Sequence, residues 1–309
     1  MRVRVLGSAA GGGVPQWNCN FTYSRRARLG DGDVPVRLQS SIATSNSNGW
    51  VIFNASPDIR QQVAATPSLQ PDPNGALRTS PIKAIVLTNA DIDHIAGLLS
   101  LRERQPFNLY ATERVLGVLM NNAVFQVLDP AYVRRIPLQL DQPTTITTTD
   151  GEPLLEVQLY SVPGKVALYL ETGEAAKDFG ADDGDTIGVR IAEIGGRSCL
   201  HYVPGCASVT PTLKRQIEGA DFLFFDGTVF RDDEMRTAGV GEKTGQRMGH
   251  LAIDGPEGSM AALAYVSLGR RCYIHINNTN PILDQRSPER AQVENAGWMV
   301  AFDGMEFDL

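Results

Sequence analysis

Residues 84–99 read Ala84-Ile85-Val86-Leu87-Thr88-Asn89-Ala90-Asp91-Ile92-Asp93-His94-Ile95-Ala96-Gly97-Leu98-Leu99, and no other stretch constrains the fold as strongly. It opens as an apolar, partly β-branched run, the pattern of a buried strand. It then turns polar and resumes with Ile95, Leu98 and Leu99 at helical spacing. A strand that ends in Asp-x-Asp-His and feeds a helix sets hard ligands at the carboxyl end of a sheet. Alternate side chains of an extended segment share a face, so Asp91 and Asp93 are expected to converge, with His94 adding nitrogen. Carboxylates with imidazole suit iron, manganese or zinc.

The rest of the chain supplies strands and helices around this stretch. Period-two alternation from Arg2 to Leu6 predicts a first strand. A hairpin is expected over 40–44 and 49–54, and a helix after Ser56-Pro57-Asp58, with Ser56 as its cap. Further strands are expected at 108–111, 154–161, 166–171, 186–194, 197–203, 220–225, 271–276 and 299–302. Helices are expected at 112–123, 211–218 and 257–268, and from Ser287. Residues 172–185 are polar and rich in Gly and Asp, a loop or insertion. With no composition shift and no internal repeat in 309 residues, residues 1–309 read as a single α/β domain built as a sandwich of two sheets.

The net charge of −7 argues against nucleic acid as the main partner, because phosphate binding needs a basic face. No run approaches the roughly eighteen apolar residues that a membrane helix needs, and the first strand is too short for a secretory signal. A cytoplasmic protein with no membrane partner is expected. The cysteines Cys19, Cys199, Cys206 and Cys272 form no Cys-x-x-Cys pair, and reduced thiols are the expectation. Gly11-Gly12-Gly13 lacks the lysine of a phosphate loop and the spacing of a dinucleotide fingerprint. A tight turn beside the active site is the better reading.

Of the four histidines, His201 lies within an alternating strand and reads as structural. His94, His250 and His275 each fall where a strand meets a polar loop. The series Gly7-Ser8-Ala9-Ala10-Gly11-Gly12-Gly13, Pro15-Gln16-Trp17-Asn18-Cys19-Asn20, Asn54-Ala55-Ser56-Pro57-Asp58, Asp226-Gly227-Thr228-Val229, Met248-Gly249-His250 and His275-Ile276-Asn277-Asn278-Thr279-Asn280-Pro281 spans the chain. It resembles the coenzyme PQQ biosynthesis protein B family of the metallo-β-lactamase superfamily.

The resemblance implies a four-layer αβ/βα sandwich of two mixed β-sheets with its site at the sheet edges. The superfamily's usual His-x-His-x-Asp-His reads here Asn89-Ala90-Asp91-Ile92-Asp93-His94. The carboxylate that usually bridges two metals would fall near Gly205-Cys206, where there is none. The first metal site is thus dismantled. Asp93, His94 and His275 keep the second, with Asp91 as a fourth ligand or an orienting carboxylate. Two histidines and one carboxylate are the set of non-haem Fe(II) oxygenases. A mononuclear Fe(II) site with O2 as co-substrate is therefore expected, and zinc is the alternative for the same ligands. Asp226 and His250 match a proton-transfer pair. Where many family members carry two further cysteines after the first, this chain has Phe21 and Ser24, so no structural zinc is expected. The implied role is in making pyrroloquinoline quinone (PQQ), by hydroxylating the tyrosine ring of a cross-linked Glu–Tyr peptide or diamino acid. Gly12 and Gly13, with Gly11, Trp17, Arg60, Asn277 and Asn278, are the expected substrate contacts. A hydrolase, or a non-enzymatic PQQ carrier involved in transport, are the alternatives. A homo-oligomer is compatible with all of these.

Overall fold

The computed structural model describes residues 1–173 and 184–309. The expected loop or insertion at 172–185 therefore lies largely outside the described residues. The first six strands are β1 (Arg2–Gly7), β2 (Ser41–Asn46), β3 (Gly49–Phe53), β4 (Ile82–Val86), β5 (Phe107–Ala111) and β6 (Val133–Pro137). They are followed by β7 (Thr144–Thr147), β8 (Pro153–Ser161), β9 (Ile187–Ala192), β10 (Cys199–Val203), β11 (Phe222–Asp226), β12 (Arg270–Ile274), β13 (Trp298–Val300) and β14 (Glu306–Asp308). One sheet has the order β14-β1-β2-β3-β4-β5-β6 and the other β13-β12-β11-β10-β9-β8-β7. Each is antiparallel in one part and parallel in the other: β3 to β6 run parallel, as do β10 to β13.

Burial explains why β4 is apolar at nearly every position. Ala84 and Val86 face the opposing sheet and pack with Phe53, Tyr202, Phe224 and Ile274. Ile85 and Leu87 face outward, onto Ile59, Ile95, Leu98 and Leu116 from flanking helices. A strand covered on both faces reads as a continuous hydrophobic run. The second sheet is covered likewise, with Leu223, Phe225 and Tyr273 packed against Leu213, Ile217, Leu263 and Val293. The result is the four-layer αβ/βα sandwich. No helix of the described residues is long and apolar enough to cross a membrane.

Several elements depart from the expectations. The helix after Pro57 spans Ile59–Ala64 with Asp58 and not Ser56 at its N-cap position, because the Ser56 hydroxyl accepts the Asp58 amide at 3.3 Å in a turn. Residues 166–171 form no strand: a 3₁₀ turn occupies Leu168–Leu170, and the Tyr169 hydroxyl donates to the Ala90 carbonyl at 2.6 Å. The 257–268 helix shrinks to Ser259–Ala262, since the following backbone pairs with the lead-in to β11: Gly219 donates to Ser267 O and Gly269 to Ala220 O. Strand β14 adds to the expected set. It pairs antiparallel with β1, Val3 opposite Phe307.

Candidate metal centre

The carboxyl ends of parallel strands from both sheets meet at one edge. After β4 the chain does not stay extended. A single helical turn, Ile92–Ile95, follows Asp91 and carries Asp93 and His94. Gly97 lets this turn lie against the 55–56 backbone, where a Cβ would sit 2.0 Å from the Ser56 carbonyl oxygen. The second sheet contributes Asp226 at the end of β11, Thr228 two residues beyond it, and His275 after β12. His275 has φ 61°, in the left-handed region. Non-glycine residues rarely adopt that conformation, and where they do it is often at a functional site.

Asp93, His94 and His275 offer ligand atoms that all lie within 4.8 Å of one another. Asp93 Oδ2 is 3.0 Å from His275 Nε2 and 3.8 Å from His94 Nε2. Two donors held roughly 2.1 Å from one ion are separated by roughly 3.0 to 3.4 Å at octahedral or tetrahedral angles, so the spacing suits a cation. His94 Nε2 is buried and has no hydrogen-bond partner, a costly arrangement for a polar atom unless something else satisfies it. The donor set thus fits a metal ion.

The other ring nitrogens fix the tautomers. His94 Nδ1 lies 2.6 Å from Asn89 Oδ1, and His275 Nδ1 lies 2.8 Å from Thr228 Oγ1. The Asn89 amide is itself oriented: its oxygen accepts the Asp91 amide at 3.0 Å and its nitrogen donates to Asp91 Oδ2 at 2.8 Å. With Nδ1–H donating in both histidines, Nε2 is the atom each ring turns to the metal position; His275 Nε2 bonds Asp93 Oδ2 there through a proton that a bound cation would replace. Burial pushes His94 down to about 4, against the pull of Asp93, so its imidazole is neutral at pH 7. Burial opposes ionisation of Asp93, but His94 and His275 outweigh it and hold the carboxyl well below its usual range. Burial likewise lowers His275, and its bond to Asp93 more than reverses this. Burial and then Asp93 raise Asp91.

Asp226 is buried and accepts four bonds. Oδ2 takes the Cys206 amide at 2.8 Å and His250 Nδ1 at 2.7 Å, while Oδ1 takes the Thr228 amide at 3.0 Å and hydroxyl at 2.6 Å. The Asp226, His250 and His275 donors also cluster, but Asp226 is saturated by these N–H and O–H groups. The His250 ring stacks on His275 with centroids 5.2 Å apart.

A cavity of about 420 Å³ opens over this centre, within the range of small-molecule sites. Asp91, Asp93, His94, His250, His275, Asn277 and Gly11 line it. Gly12 and Gly13 adopt φ 93° and 68° in the turn behind it, and the Gly12 amide donates to Gln39 Oε1 at 3.1 Å. Asn278 is buried and donates to Gln16. Trp17 is 86% exposed and Arg60 is exposed on the helix Ile59–Ala64; neither lines the cavity. His201 is buried in β10 with Nδ1 2.9 Å from the Tyr160 hydroxyl. Cys19 is buried and its sulfur accepts the Phe21 amide at 3.4 Å. Sequence reading passed over Thr228, Lys165, Lys243, Leu168 and Met248, all on the cavity wall. Thr228 and Met248 stand within the motifs Asp226-Gly227-Thr228-Val229 and Met248-Gly249-His250, whereas Lys165, Lys243 and Leu168 carry no local signal.

The model of the Beta-lactamase superfamily domain matches residues 49–276. A coenzyme PQQ synthesis protein B from Methylorubrum populi is 54% identical, and one from Xanthomonas euvesicatoria is 49% identical, each over 100% of both chains. Among solved structures, that of Zn(2+)-bound PqqB from Methylobacterium extorquens superimposes with a TM-score of 0.93 at 50% identity over 100% of both chains. A diphosphatase of the PhnP family shares the fold alone, with a TM-score of 0.67 at 19% identity over 100% of this chain and 97% of its own. The chain belongs to the coenzyme PQQ synthesis protein B family, within the beta-lactamase superfamily.

Proposed function

We propose that this protein is a mononuclear Fe(II)-dependent oxygenase of PQQ synthesis, which hydroxylates the tyrosine ring of a cross-linked Glu–Tyr intermediate. The observation that carries this reading is the convergence of Asp93, His94 and His275 with a buried, unpartnered His94 Nε2. Two histidines and one carboxylate leave coordination positions open. Family membership supports the role in PQQ synthesis, and the clustered donors support a metal at this centre, with zinc, which a solved relative binds, as the alternative occupant.

When bound, iron would supply the redox chemistry that O2 needs to react with a ring. The chain's own residues do the rest. Asn89 and Thr228 aim the two imidazoles. Asp226 holds His250 in one tautomer, and the imidazole can give or take a proton at the substrate hydroxyl. The cavity holds a molecule of diamino-acid size beside the triad. Each ring hydroxylation consumes one O2, two protons and two electrons from an added reductant, and releases water.

The parent superfamily's hydrolytic chemistry is the second reading, favoured by the clustering of Asp226, His250 and His275. The saturation of Asp226 by four donors speaks against a second metal there, and Asn89 is committed to His94. The test is oxygen uptake by anaerobically Fe(II)-loaded protein with a cross-linked Glu–Tyr substrate and ascorbate as the added reductant, followed by mass spectrometry. Substrate-dependent uptake with one added oxygen on the ring is expected. No uptake with iron bound overturns the proposal, and two metal equivalents with turnover of bis-p-nitrophenyl phosphate would install the hydrolase instead.

A further inference from the structure

Three cations converge on Glu171 at the rim of the cavity. Its Oε1 is 3.1 Å from Lys165 Nζ and 3.7 Å from Lys243 Nζ, and its Oε2 accepts a hydrogen bond from Arg247 at 3.0 Å. The Lys165 and Glu171 side chains are each 11% exposed, whereas Lys243 and Arg247 are 40% and 41% exposed. Lys165 also donates to the Val166 carbonyl at 3.1 Å. Burial alone would raise the Glu171 carboxyl, but the three cations outweigh it and hold it below the ordinary range.

Gathering three like charges around one carboxylate costs mutual repulsion, which a further carboxylate in the cavity would relieve. Lys165 and Lys243 line the same cavity as the metal triad, and Leu168 and Met248 stand on that wall beside them. The rim is therefore cationic and partly apolar in a chain whose net charge is −7.

We propose that Lys165 and Lys243 form a carboxylate-binding subsite for the substrate, with Glu171 as an internal competitor that a substrate carboxylate displaces from the lysines while Arg247 keeps hold of it. The ligand class is a small aromatic molecule with at least two carboxylates. Its ring lies along Leu168 and Met248, which leaves the reacting edge beside the triad. The identity of that ligand as a Glu–Tyr product rests on the proposed function; the subsite itself does not.

The test is calorimetric titration of the Zn(II)-loaded protein, which holds the centre without redox turnover, with two probes: the cross-linked Glu–Tyr diamino acid and benzene-1,3,5-tricarboxylate. Both probes should bind, more weakly as salt rises. Lys243→Met and Lys165→Met should each weaken binding about tenfold or more, the scale of one charge-assisted contact. Glu171→Gln should tighten it several-fold. Lys243 is the more exposed of the two lysines, so its variant guards against a folding defect, and zinc content with a thermal melt verifies each protein. Equal affinity across all variants overturns the subsite, as does failure of both probes to bind the parent and Glu171→Gln. If the tricarboxylate behaves as expected and the diamino acid does not bind, the subsite stands and the proposed substrate falls. Undiminished affinity for the diamino acid in both lysine variants, with oxygen uptake intact, removes the subsite and leaves the oxygenase.

Discussion

Asn89 Oδ1 lies 2.6 Å from Nδ1 of His94, across the imidazole from the nitrogen that faces Asp93 and His275. Asn89 stands where the superfamily motif has its first histidine. A residue lost as a ligand has become the group that aims one. Partners of this kind typically contribute 10- to 100-fold in metal affinity. Asn89→Ala should therefore bind metal about 10- to 100-fold more weakly in a chelator competition, and Asn89→Asp should recover most of the loss by restoring an acceptor. An Asn89→Ala protein with parental affinity would remove the orienting role.

His275→Ala should abolish stoichiometric metal binding, read by elemental analysis after gel filtration. Metal at 100 times its dissociation constant should stabilise the parent by about 2.7 kcal/mol and the variant far less. Because His275 sits at φ 61°, His275→Gly should be more stable than His275→Ala, by about 1 kcal/mol. Retention of one metal per chain in both variants would sink the ligand assignment.

His250→Gln should keep one metal per chain, because His250 is bonded to Asp226 and is not a member of the Asp93–His94–His275 set. Its turnover should fall about 10²- to 10⁴-fold, the usual contribution of a positioned acid or base. Loss of metal together with rate would place His250 among the ligands.

Glu234 gives the fold a pH dependence away from the metal centre. Burial raises its carboxyl to about 7, against the Thr279 hydroxyl and the Phe230 and Arg231 amides that bond it. In the unfolded chain it titrates near the ordinary 4.5. The proton is bound more tightly in the folded state, so this contribution is fully present below pH 4.5 and is lost as pH rises through 7. Denaturant titrations of the parent should lose up to about 3 kcal/mol across that window relative to Glu234→Gln, whose profile should be flat in this respect. Parallel profiles would show that Glu234 titrates normally.

The legibility of the sequence followed the range of the interactions. Strand β4 was readable because burial on both faces writes an unbroken apolar run into adjacent residues. Asp93 and His94 were readable for the same local reason. His275 became readable only through the family's pattern, since nothing near it says which strand it will face. The 257–268 segment has helical spacing at Met260 and Leu263, yet its later backbone bonds to the residues that lead into β11, a tertiary demand that spacing does not encode. Strand β14 is three residues long and pairs with the other end of the chain. The cluster on Glu171 joins the segment after β8 to Lys243 and to the helical turn Gly245–Met248, and no periodicity marks it.

The triad draws Asp93 and His94 from behind β4 of one sheet and His275 from behind β12 of the other, 182 residues away from Asp93. A cation held by all three acts as a rivet through one edge of the sandwich. Releasing it requires the sheets to part at that edge or a ligand side chain to swing out. The rate at which a chelator strips the metal therefore reports how often this seam breathes. That rate should climb in denaturant too dilute to unfold the protein.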